Sequence, residues 1–239
     1  MQLGVRDVSK LLNVSEKTIY RWISQGVLPA YRVNEQYRFN RAELLEWATA
    51  RKMNVSAELF DEPESNGIAV PGLAESLQAG GIFYRLGGND KESALRAVVE
   101  HMRLPEEVDR EFLLRVLLAR EAMQSTGIGD GIAIPHVRNP IVLHVSRPMI
   151  TLGFLERPIE FGALDGKPVH VLFSLVSPTV RAHLQMLSRL SFALHDPAFK
   201  QAITEQASRD AILDAARRVE AGLAQGAGGA AGRTRSCAS

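Results

Sequence analysis

The sequence has one cysteine in 239 residues, Cys237, and therefore no internal disulfide. That cysteine sits in AQGAGGAAGRTRSCAS, a run of small residues that cannot build a core, and reads as a solvated thiol. Long apolar runs are also missing. VHVLFSLV is one of the longest, well short of the roughly 20 residues a helix needs to cross a bilayer. No apolar signal core opens the chain, so no membrane partner and a cytoplasmic location are expected. The Asn-x-Ser matches at Asn13 and Asn54 then carry no glycosylation meaning. There is no internal repeat, no His-x-His or HExxH spacing for a metal and no G-x-S-x-G elbow for a hydrolytic serine. GIGDG lacks the Lys-Ser/Thr that would complete a phosphate loop. No metal and no cofactor are expected.

What is present is unevenly distributed. Net charge is only +1, yet residues 1–52 carry nine Lys/Arg against five Asp/Glu, while 53–69 carry four acids and no base. In VRDVSKLLNVSEKTIYRWISQGVLP, apolar residues fall at Val8, Leu11 and Leu12, then at Ile19, Trp22, Ile23 and Val27. This is the pattern of two short helices around a tight turn, with Ser15 as N-cap, Gly26 as stop and Pro29 barring continuation. AYRVNEQYRFN alternates around Asn34-Glu35 as a hairpin, and Asn40 is placed to cap a third helix, RAELLEWATARK. Trp22 and Trp47 fall in core phase. Residues 1–52 form a basic head and 53–71 a linker, followed by an α/β domain over 72–222 and a disordered tail over 223–239. In the α/β part, helical patterns in KESALRAVVEHM and DREFLLRVLLAREAM precede a glycine loop. Buried strands follow around PMITLGFL and VHVLFSLV, then helices in TVRAHLQMLSRLSFALH and SRDAILDAARRVEAGL.

The second helix of the head turns Glu16, Lys17, Tyr20 and Arg21 to its polar side. Such a helix fits a DNA major groove, with Lys17 and Arg21 toward phosphates or base edges and Arg32 and Arg38 of the hairpin reaching the adjacent backbone. The head also resembles the excisionase and MerR-like winged helix-turn-helix family, through VSKLLNVSEKTIYRWISQGVLPAYRVNEQYRFNRAEL. Asn13 stands where that family commonly has Gly and tolerates the same left-handed turn. The resemblance implies double-stranded DNA as partner and a DNA-facing set of Lys17, Thr18, Tyr20, Arg21, Arg32 and Arg38. The alternative is a module that docks a protein, its basic residues being only a solvated face.

In the α/β part, STGIGDGIAIPH places a glycine loop and the rigid Pro135 just before His136, an arrangement suited to presenting an imidazole. Together, LLAREAMQSTGIGDGIAIPH, PIEFGALDGKPVHVLFSLVSP and AHLQMLSRL resemble the enzyme IIA domain of the bacterial sugar phosphotransferase system, in its mannitol/fructose and nitrogen-regulatory branch. The resemblance implies a central mixed sheet flanked by helices. It also implies a phosphoryl group accepted on His136 from a phosphorylated histidine carrier protein, with Arg120 and His183 as supporting cation and second histidine. Ser125, Thr126 and the glycine amides would add donors. Neutral imidazole is a good nucleophile near pH 7, and a transferring phosphoryl group needs positive charge around its oxygens. His101, His144, His170 and His195 read as packing or surface residues, and Asp165 as a turn former. The expectation is a two-domain regulator that couples phosphorylation to transcription, and a homodimer is compatible with it. The alternative is a nitrogen-type phosphocarrier whose head docks a protein.

Overall fold

A computed structural model describes residues 2–33, 36–40, 43–44, 47–48, 51, 53, 70–137 and 145–230. The head opens with β1 (Gln2–Leu3), α1 (Val5–Leu11) and α2 (Glu16–Ser24), then a hairpin of β2 (Tyr31–Val33) and β3 (Gln36–Asn40). Asn13 takes φ 52° in the turn between the helices, the left-handed conformation that the sequence suggests. Ser15 Oγ accepts from Thr18 N at 3.2 Å, capping α2, and Gly26 follows the helix end at φ 65°. β1, too short to leave a sequence pattern, pairs with β3 and makes a three-stranded sheet of order β1-β3-β2.

Val8, Leu11, Leu12, Ile19, Leu28, Phe39, Leu44 and Trp47 close the head's core. Trp22 packs against this core with its ring 5.3 Å from that of Trp47, and the Trp47 indole N–H donates to the Val27 carbonyl. Of the expected third helix, Glu43, Leu44, Trp47 and Ala48 are helical, and Arg51 lies in the turn after it. The hairpin tip Asn34-Glu35 and almost all of the linker lie outside the described residues.

The second domain runs α3 (Leu73–Gly80), β4 (Ile82–Leu86), α4 (Lys91–His101), α5 (Arg110–Met123), β5 (Gly127–Gly129), β6 (Ile132–Ala133), β7 (Met149–Ile159) and β8 (Val169–Val176). It closes with α6 (Val180–His195), α7 (Pro197–Thr204) and α8 (Arg209–Ala230). The sheet order is β4-β7-β8-β6-β5. It is mixed: β4 is parallel to β7 and β6 parallel to β8, whereas β7/β8 and β5/β6 are antiparallel. This is the expected architecture of a helical winged head followed by an α/β domain. One sheet face packs Phe154, Phe173, Leu187 and Leu190 with α3, α6, α7 and α8. The other packs Leu95, Val98, Leu113 and Leu117 of α4 and α5.

Three elements have no counterpart in the sequence reading. α3 is anchored by Glu220 of α8, whose carboxylate accepts from Leu73 N and from Ala74 N, a cap lent from 147 residues away. β4 follows it directly. α7 begins at the Asp196-Pro197 pair that ends α6: Asp196 Oδ1 accepts from Phe199 N at 2.9 Å, so one aspartate closes one helix and caps the next. The last helix, expected to stop near residue 222, runs on to Ala230. Residues 231–239 lie outside the described residues.

The domains touch, because Leu184 on α6 packs against the head's core cluster. Within the second domain, α3 crosses β7 so closely that a Cβ on Gly80 would land on the Ile150 carbonyl. Gly80→Ala is therefore expected to cost about 1–3 kcal/mol, as overpacking typically does. Urea unfolding reads it as a lowered midpoint. Gly87→Ala, where nothing lies within 4 Å, is the matched control and should leave the midpoint in place.

Candidate active site

The site begins where α5 ends. Arg120 lies in its last turn and donates through Nη1 to the Gln124 carbonyl at 2.8 Å, which holds the guanidinium back over the loop that follows. Next to it Glu121 is buried, and its carboxylate accepts from Thr126 N at 3.1 Å, from Thr126 Oγ1 at 2.6 Å and from Lys91 Nζ at 3.2 Å. Ser125 Oγ donates to the Phe161 carbonyl at 2.8 Å and accepts from Gly127 N at 3.1 Å. Both hydroxyls are thus committed to the loop itself.

The glycines serve a turn. Gly129, Asp130 and Gly131 all have positive φ, at 87°, 55° and 74°, and form the tip of the β5/β6 hairpin. Asp165 holds that tip by accepting from Asp130 N at 2.9 Å, and this hydrogen bond, with the one from Lys167 N, keeps its carboxyl below the usual carboxylate range. Asp165 is therefore the turn former anticipated from sequence, and it takes no part in a Ser-His-Asp arrangement. Burial pushes the pKa of His170, beside Gly131, downward.

Past the hairpin, the chain stays against β8. Leu175 N donates to the Pro135 carbonyl at 3.1 Å and His136 forms a parallel bridge with Leu175, so the imidazole is fixed at the end of the strand layer. His136 Nδ1 lies 2.7 Å from the Ile134 carbonyl oxygen. Since a carbonyl only accepts, Nδ1 carries a proton, and in the neutral tautomer the lone pair is then on Nε2. α6 starts just beyond β8, capped by Thr179 Oγ1 accepting from Ala182 N at 3.1 Å, and His183 sits in its first turn. The His183 and His136 rings are 5.2 Å apart. His136, His183 and Arg120 are 4%, 2% and 8% exposed.

The structure thus brings Arg120, Ser125, Thr126, His136 and His183 together, from positions up to 63 residues apart in the chain. Glu121, which orders the loop, belongs to the same assembly. Its only sequence signal was adjacency to Arg120 ahead of STGIG. Arg120, Thr126, Ile134 and His136 line a cleft of about 470 Å³, together with Val27, Glu43, Trp47 and Arg51 of the head. Among the described residues, no three His, Cys, Asp or Glu side chains converge as metal ligands would, and no helix is long and apolar enough to cross a membrane.

Of the DNA-facing residues expected from the sequence, Lys17, Thr18, Tyr20 and Arg21 share one side of the head. Ser15, Lys17, Thr18, Tyr20, Arg21 and Ser24 line a shallow surface along α2, and Tyr20 lies edge-on to Tyr37 of β3. Thr18 Oγ1 is 2.9 Å from Ser15 Oγ, so this hydroxyl belongs to the helix cap. Arg32 is exposed on β2, while Arg38 donates to Gln36 Oε1 at 2.7 Å.

A five-stranded mixed sheet with two histidines and an arginine gathered at one end is the architecture of an enzyme IIA domain. The chain belongs to the family described as phosphoenolpyruvate-dependent sugar phosphotransferase system, EIIA 2, whose model matches residues 75–218. A helix-turn-helix domain model matches residues 3–52. The fructose-specific EIIABC component of Bacillus subtilis is 32% identical over 145 residues, covering 59% of this chain and 22% of that protein. The nitrogen regulatory protein of Pseudomonas aeruginosa is 34% identical over 126 residues, covering 51% of this chain and 79% of that protein. Among solved structures, nitrogen regulatory protein IIA-Ntr from Neisseria meningitidis superposes with a TM-score of 0.53 at 25% identity, covering 60% of this chain and 98% of that one.

The burial of Glu121 generates a stability prediction. Glu121→Ala removes the acceptor for both Thr126 donors, an expected loss of about 1–3 kcal/mol for buried groups left unsatisfied, while Lys91, with a third of its side chain exposed, still reaches water. Glu121→Gln keeps an acceptor oxygen and should lose less. Paired urea titrations measure the difference.

Proposed function

We propose that this chain accepts a phosphoryl group on His136 from a histidine-phosphorylated carrier protein, binds double-stranded DNA through α2 and the hairpin, and couples the two in the control of transcription. The observation that carries the reading is the Nδ1–Ile134 hydrogen bond, which leaves Nε2 as the nucleophile beside Arg120. In the transfer, the Nε2 lone pair attacks phosphorus while the donor's P–N bond breaks, and that bonding pair returns to the donor imidazole. The positive charge developing on the His136 ring is delocalised to Nδ1–H and drawn toward the Ile134 carbonyl. Arg120 meets the negative charge spread over the equatorial oxygens. His183, 5.2 Å away, orients the group or shares its charge. Ser125 and Thr126 hold the loop in the shape that aims Arg120. The work is done inside a cell, and a symmetric dimer would suit a DNA-binding regulator.

The first test is phosphoryl transfer from a phosphorylated carrier. The wild-type chain should gain one acid-labile, base-stable phosphate, and His136→Ala none. Arg120→Ala should slow transfer by about 10²–10³, the usual cost of one electrostatic stabiliser, and His183→Ala should slow it without abolishing the acceptor. Undiminished labelling of His136→Ala would overturn the assignment.

For the head, duplex binding should weaken steeply with salt, and removing one phosphate-contacting cation in Arg21→Ala or Lys17→Ala should lower the salt slope by about one. Duplex retention that responds to neither salt nor these changes would make the head a protein-docking module.

A further inference from the structure

The cleft above His136 belongs to both domains. It is lined by Arg120, Thr126 and His136 of the second domain and by Val27, Glu43, Trp47 and Arg51 of the head. Arg51 is held there: its guanidinium lies 4.6 Å from the centre of the Trp47 ring, and its amide donates to the Trp47 and Ala48 carbonyls. Glu43 enters the same space with its carboxylate tied to the Tyr31 hydroxyl at 2.7 and 2.8 Å. The charged lining is therefore two guanidiniums and one carboxylate, in the cleft that His136 also lines. Its volume of about 470 Å³ exceeds what a phosphoryl group fills, leaving room for water around it.

We propose that the head completes the phosphoryl-binding site: a phosphoryl group on His136 Nε2 projects into this cleft between Arg120 on one side and Arg51 on the other. The inference rests on the phosphohistidine reading above and extends it to a residue outside the enzyme IIA domain. A phosphoryl group carries about −1.5 to −2 charges near neutral pH and three strong acceptor oxygens, which suit guanidinium donors arriving from two directions. With Glu43 kept on Tyr31, the added negative charge draws Arg51 inward, so phosphorylation fastens the head onto the face of α6 that carries Leu184. The head then reads the phosphoryl group directly, through a side chain eleven residues beyond β3 and on a different surface from Lys17 and Arg21.

The test titrates inorganic phosphate into the full chain and follows the His136 ring nitrogens by NMR, which localises binding to the cleft. Wild type should bind phosphate, and Arg51→Ala should bind about fivefold more weakly or worse, the low end of coupling between sites. Arg51→Lys, which keeps a cation over Trp47, should recover part of the affinity. Leu184→Asp, which loosens the head without touching Arg51, should weaken binding as well. Equal affinity in wild type and Arg51→Ala, or no response of His136 in wild type, overturns the proposal. The carrier assay separates the two readings: phosphate affinity that depends on Arg51 in a chain that takes no phosphoryl group from a carrier would leave the shared cleft standing and sink the phosphohistidine.

Discussion

A carbonyl oxygen has lone pairs and no proton to give, and from this the chemistry of the site follows. The Ile134 carbonyl, 2.7 Å from His136 Nδ1, selects one tautomer of the ring and so puts the lone pair on Nε2. Ile134 itself is held because its amide donates to the Thr126 carbonyl, and Thr126 is held by Glu121. Pro135, which has no amide hydrogen to donate, still offers its carbonyl to Leu175, so the short stretch before His136 remains attached to the sheet on its β8 side. Each hydrogen bond in this chain uses a group that would otherwise be buried and unsatisfied. Proton position, ring orientation and local stability are therefore set by the same interactions.

Rigidity of this kind explains why two hydroxyls beside a phosphoryl site point elsewhere. Ser125 and Thr126 each use their side chains to close the α5–β5 connection. A phosphoryl group in transit is stabilised by charge already in place, because donors that must reorient during the reaction lose part of what they contribute. Arg120, tethered to Gln124, is such a charge. The start of α6 adds oriented amides next to His183.

Much of this was legible in the chain, for reasons that can be assigned. Ser15, Asn13 and Gly26 act locally, through capping and positive φ, and local rules identify them. The histidine pair and Arg120 carried a spaced motif. α3, β4 and α7 were not legible: the first depends on a carboxylate in α8, the second on pairing with β7, and the third on Asp196 serving two helices at once. Glu121 was visible only as a neighbour of Arg120. The glycines of GIGDG suggested presentation of His136, but their positive φ values build a hairpin tip whose partner is Asp165. Positive φ says that a turn is present, not what it faces. Arg51 and Glu43 gave no signal at all, since nothing in a linear sequence says which side of a head meets a neighbouring domain. Almost all of the acidic stretch 53–69 lies outside the described residues.

Coupling between a phosphoryl group and DNA needs two states of the chain that differ in free energy with each ligand; a shared polypeptide alone supplies none. The two roles proposed for the head fall on different surfaces. α2 presents Lys17 and Arg21 on one surface, while the turn at Gly26–Pro29 and the region of Trp47 lie over His136. On the proposed reading, a carrier protein must bring its own imidazole to His136 Nε2, and with His136 only 4% exposed beneath this cleft, delivery would require the head to lift. Lifting breaks the Leu184 contact and the charge arrangement at Arg51. DNA that holds the head in a lifted position would promote phosphorylation, and a phosphoryl group that draws the head back would oppose DNA binding to the same extent, because linkage is reciprocal. A coupling of about 1–3 kcal/mol gives a 5- to 150-fold effect on affinity, a range that one charged contact and one half-buried leucine can supply. The sign of that coupling is fixed by whether DNA engages the lifted or the docked head. If it engages the docked head, phosphorylation and DNA binding reinforce each other, and the same Arg51 that holds the phosphoryl group then raises affinity for the duplex.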